Sequence, residues 1–113
     1  ADGVNVVLHE FAHKLDMLNG DANGFPPLHR GMNATIWSEV FSQAYDDFCK
    51  RVDAGEETAI DPYASYDPAE FFAVLTEVFF ETPGLLLDEY PAVYRQLQQF
   101  YRQNPRQRLG EIA

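Results

Sequence analysis

Four windows of this chain repeat apolar side chains at helical spacing, and loops rich in Gly and Pro separate them. The first window, about residues 5–18, ends at Asn19-Gly20, a pair suited to a helix C-terminus. Val6, Val7, Leu8, Phe11, Ala12 and Leu15 cover most of its circumference, which predicts a buried helix. Residues 20–32, with Asn23-Gly24 and Pro26-Pro27, read as a loop. A second helix is expected over about 34–52, capped by Asn33 or Thr35, with Ile36, Val40, Phe41, Ala44, Phe48 and Val52 on its inner face. Residues 53–67 form a second loop, broken by Gly55 and Pro62, with room for a short extended piece at 58–60. The third helix opens at Asp67-Pro68-Ala69-Glu70, with Asp67 as N-cap and Pro68 as first helical residue, and runs to about Glu81, before Pro83-Gly84. The fourth begins at Tyr90-Pro91 and reaches about Arg102, before Asn104-Pro105. The expectation is a mainly α domain of about four helices over residues 1–105, with 106–113 as a loose tail.

Composition adds a size and excludes some partners. The 113 residues are 46% hydrophobic and include 9 Phe, 6 Tyr and 1 Trp, enough for a single well-filled core. A net charge of −10 argues against nucleic acid, whose phosphates it would repel, and against anionic membrane surfaces. Cys49 is the single cysteine, so no intrachain disulfide forms, which suits a reducing cytoplasm. No leader-like segment and no apolar run of about 18 residues is visible in the chain given.

The chemistry lies in His9-Glu10-Phe11-Ala12-His13. Histidines four apart project from one face of a helix, where two imidazole nitrogens can share one tetrahedral zinc ion. Glu10 sits at the edge of that face, placed to take a proton from a water that zinc has made acidic. A solvated polar stripe is the bland alternative, and the apolar flanks argue against it. Peptidase sites of this type set a sheet edge beside the motif helix, and no strand candidate precedes it here. The chain is therefore expected to be a piece of a longer protein.

A catalytic zinc takes three protein ligands and keeps one position open. His29, Asp16, Asp61, Glu70 and Glu77 are the candidates for the third. Glu70 is the best, because it opens the strongly apolar Phe71-Phe72-Ala73-Val74-Leu75; the competing view makes it a capping-box Glu reaching back to Asp67. Locally the two are evenly balanced. Glu77, two turns along the same face, is the runner-up or a supporting acid. Asp16 shares the histidine face and is a candidate to hold an imidazole N–H, or else an exposed acid near the helix end. His29 reads as a surface residue, and the Phe cluster as core.

His9-Glu10-Phe11-Ala12-His13-Lys14-Leu15-Asp16, followed by Asp61-Pro62-Tyr63-Ala64 and Pro68-Ala69-Glu70-Phe71-Phe72-Ala73-Val74, resembles the Mlc titration factor A family. These are bacterial zinc-dependent peptidases related to the anthrax lethal factor catalytic domain. The likeness runs from about residue 4 to 101; Lys14, where such motifs usually carry an uncharged residue, departs from it. The resemblance implies a zincin-like α+β parent domain of the gluzincin type, with its N-terminal segment missing here. It implies His9, His13 and Glu70 as ligands of one Zn2+, Glu10 as general base, Tyr63 facing the reacting carbonyl, and Asp61 as an acid in the cleft. The implied activity is peptide hydrolysis on short peptides or free amino ends, as in an aminopeptidase. The resemblance also implies an alternative: a regulatory protein that binds a transcriptional repressor of sugar uptake, with cleavage secondary. A structural zinc is the weakest option, since no fourth ligand is evident.

Overall fold

The computed structural model describes residues 2–105, and among them all regular structure is helical. Helix α1 covers Asp2–Asp16 and runs into a 3-10 turn, Met17–Asn19. After the loop come α2 (Ala34–Asp53), a 3-10 turn at Pro62–Ser65, α3 (Pro68–Glu81), α4 (Pro83–Glu89) and α5 (Pro91–Tyr101). The expected tail at 106–113 lies outside the described residues.

Local chemistry explains where the helices start. The Asn33 side chain accepts from Ile36 N at 3.0 Å, and Asp67 accepts from Glu70 N at 2.8 Å, so each caps its helix with a side-chain oxygen. Pro68 and Pro91 occupy first turns, where a missing N–H removes no helical bond. Arg102, at φ 55°, adopts the left-handed conformation that closes α5.

Apolar residues encircle α3, which is therefore the centre of the molecule: Ala69, Phe71 to Leu75 and Phe79 are all buried. Phe71 meets Phe41, Tyr45 and Phe48 of α2 and Tyr90 ahead of α5. Trp37 stacks on Phe41, with ring centroids 4.3 Å apart, and also touches Phe72 and Phe100. Arg51 ties α2 to α4 through Glu89 at 3.0 Å.

Four expectations need correction. The described residues form five α-helices, because Pro83 ends α3 and also opens α4, whose Leu86 is fully buried. On α2, Phe41, Ala44 and Phe48 are buried as expected, but Trp37 is buried where Ile36 was expected, and Ile36 is exposed. Residues 58–60 are a bend held by Thr58 Oγ1 donating to the Ile60 carbonyl, not an extended strand. Finally, α1 is not buried all round. Ala12 and Asp16 are fully buried, but Val6, Val7 and Phe11 are exposed by 62%, 67% and 51%. Among the described residues α1 packs chiefly on α3, and one neighbour can cover only one stripe of a helix.

Candidate metal centre

The stripe of α1 that faces α3 carries His9 and His13, and the capped first turn of α3 carries Glu70. Asp67 satisfies the Glu70 amide, and the Glu70 carboxylate turns to the two imidazoles instead of reaching back. Glu70 Oε1 lies 2.8 Å from His9 Nε2 and 3.1 Å from His13 Nε2, and the two Nε2 atoms are 3.1 Å apart. The rings meet edge to face. All three side chains are largely shielded from water.

These three residues form a group able to hold a metal ion. Tetrahedral zinc, with bonds of about 2.0–2.1 Å, spaces its ligand atoms about 3.3 Å apart. The observed triangle needs only a small expansion to match. Proton placement supports the same fit. His9 Nδ1 contacts a Glu77 carboxylate oxygen, so in the neutral ring Nδ1 carries the proton. The Nε2 lone pair then faces the Glu70 carboxylate, acceptor against acceptor, which is unfavourable without a cation between them. In the metal-free chain, protonation of His9 would relieve that clash. Burial lowers the His9 pKa, but Glu77 and Glu70 outweigh it and raise the value above 6.5. Burial likewise pushes Glu70 up, yet His9 and His13 outweigh it and hold its carboxyl below 4.5.

A family model described as glucose-regulated metallo-peptidase M90 matches residues 1–102. The chain belongs to this metallo-peptidase family. It is 46% identical over 112 residues to Mlc titration factor A of Pectobacterium atrosepticum, covering 95% of this chain and 41% of that protein. Mlc titration factor A of Salmonella paratyphi B is 46% identical over 118 residues, covering 100% of this chain and 43% of the relative. The Salmonella typhi protein of that name matches to the same extent. The chain thus spans less than half the length of these curated relatives.

Around these three side chains, the other predicted residues fall into distinct places. Tyr63 lies on the 3-10 turn before α3, its ring centroid 6.4 Å from that of His9. Desolvation and the Glu70 carboxylate raise its pKa above 10, so the phenol keeps its proton at neutral pH. Glu10 is exposed, next to the first histidine. Asp61 is exposed and accepts from Tyr63 N at 2.9 Å, which makes it the cap of the turn that carries Tyr63. His29 meets the Gln99 carbonyl at 2.7 Å.

Asp16 does not hold an imidazole. Its fully buried carboxylate accepts from Gly24 N at 2.6 Å and Phe25 N at 3.1 Å, because the chain turns back under the end of α1. The acid that holds His9 is Glu77, from the second turn beyond Glu70 on α3. Its spacing of seven from Glu70 places both on one helix face, a signal present in the sequence but not decisive there. Tyr66 was not singled out at all. It stacks on Tyr63, with centroids 5.7 Å apart and planes at 17°, and is itself exposed.

Proposed function

We propose that this chain carries the catalytic centre of a zinc-dependent peptidase of the gluzincin type, acting on peptides from their amino ends. The observation that supports this reading is the convergence of His9 Nε2, His13 Nε2 and Glu70 Oε1 from two helices. Zinc bound there supplies Lewis acidity, making a water acidic and polarising a peptide carbonyl. Glu77 fixes the His9 ring with its Nδ1 proton outward, leaving Nε2 free as a ligand. Glu10 accepts the proton released by the attacking water and later passes it to the leaving amine. The Tyr63 hydroxyl, kept protonated, donates a hydrogen bond to the oxygen on which negative charge develops. Asp61 supports Tyr63 by capping its turn. The helices described here form the α part of a zincin-like α+β domain, and the single cysteine suits a cytoplasmic setting.

Glu10→Gln tests the mechanism. The variant is expected to retain stoichiometric zinc while chromogenic aminopeptide hydrolysis falls by at least about a hundredfold. Parent-like turnover would remove Glu10 as the base. A second reading rests on the relatives' name, which ties them to Mlc: the chain also binds a transcriptional repressor of sugar uptake. That reading requires Glu10→Gln to keep full repressor affinity in a direct binding assay.

A further inference from the structure

The Asp16 carboxylate is fully buried, and no described cation faces it. It spends both oxygens on the Gly24–Phe25 backbone: Oδ2 on Gly24 N at 2.6 Å and Oδ1 on Phe25 N at 3.1 Å. Gly24 is held from two further sides. Trp37 Nε1, on α2, donates to its carbonyl at 3.2 Å. A Cβ on Gly24 would lie 2.7 Å from the Pro68 carbonyl oxygen, in the first turn of α3, and its φ of +81° excludes most side chains. One glycine is thus pinned between the end of α1, the start of α2 and the start of α3.

The positions of those contacts matter. Asp16 stands three residues after His13, and Pro68 two residues before Glu70. The distance across the turn therefore constrains the distance between the imidazoles and the carboxylate. We propose that Asp16 is a positioning residue for the metal centre, clamping the Gly24 turn against Pro68 so that Glu70 stands within reach of His9 and His13. This inference rests on the reading of those three residues as metal ligands. Asp16 touches none of them, and its effect passes through the Gly24 backbone.

The test compares zinc affinity, measured by competition with a chromogenic chelator, with the melting temperature of the metal-free chain. Asp16→Asn keeps the size of the side chain but loses the charge and one acceptor. Gly24→Ala drives a methyl group at Pro68. Each is expected to raise the zinc dissociation constant at least about tenfold. Leu86→Ala, in α4, serves as a control that lowers the melting temperature with little change in zinc affinity. In a Glu70→Ala background, Asp16→Asn should leave the residual zinc affinity unchanged, because no carboxylate remains to be placed. An equal loss in both backgrounds, or a loss no larger than that of Leu86→Ala, overturns the proposal. Should Asp16→Asn and Gly24→Ala fail to fold, Trp37→Phe removes the bond to the Gly24 carbonyl together with part of a buried ring; its loss of zinc affinity is expected to exceed that of Leu86→Ala, and an unchanged zinc affinity there counts against the clamp. If the parent chain binds no zinc, it is the metal reading that fails. Parent binding that is indifferent to Asp16 sinks this inference alone.

Discussion

His9 and Glu70 each hold a charge state that depends on the other, and this gives the metal-free chain a characteristic pH response. The His9 pKa is raised, so its contribution to stability is complete below 6.5 and disappears as pH rises through the folded value. The Glu70 pKa is lowered, so its contribution is complete above 4.5 and disappears as pH falls through the folded value. Thermal melts of the metal-free chain should therefore show both contributions together between 4.5 and 6.5. A His9→Gln variant should lose the decline on the alkaline side. Tyr63→Phe removes a protonated donor beside His9 and Glu70 without removing either. Turnover is expected to fall about tenfold or more at unchanged zinc content, read by steady-state kinetics and metal analysis. At this scale the histidine pair was legible because a four-residue spacing fixes a shared helix face. The direction of the Glu70 carboxylate was not, since capping box and ligand need the same local sequence. Asp16 was placed on the correct face but assigned the wrong partner, because its true partners lie in a loop whose path no periodicity reports.

Between residues and the whole stand the helix ends. Asp67 caps α3 through the Glu70 amide, so Asp67→Ala should cost about 0.5–2 kcal/mol in denaturant unfolding. An unchanged midpoint would show that tertiary packing alone holds that turn. Helix starts at Asn33 and Asp67 could be read from the chain because caps are local chemistry. Pro83 was ambiguous by its nature. The same ring that stops α3 suits the first turn of α4, and the burial of Leu86, with Leu85 and Leu87 packed beside it, makes the second helix worth forming. The burial of α1 was overstated for a different reason: an apolar circumference reports what a helix could cover, not how many neighbours it has.

Over the whole molecule, α3 is the hub, because apolar residues encircle it. The candidate ligands come from two helices, and His9 and Glu70 are 61 positions apart in the sequence. An ion held by both stabilises the native state according to its free concentration, by about 2.7 kcal/mol at one hundred times its dissociation constant. Calorimetry should find a melting temperature that climbs with free zinc in the parent chain and stays flat in Glu70→Ala. A flat response in the parent would show that the ion does not bridge the helices. Because α1 leans mainly on α3, an ion held by both would work as a rivet through the seam between them. Starving the chain of zinc would then do more than silence chemistry: it would loosen α1 from the hub and hand Lys14, on its exposed flank, to trypsin before the rest of the core gives way.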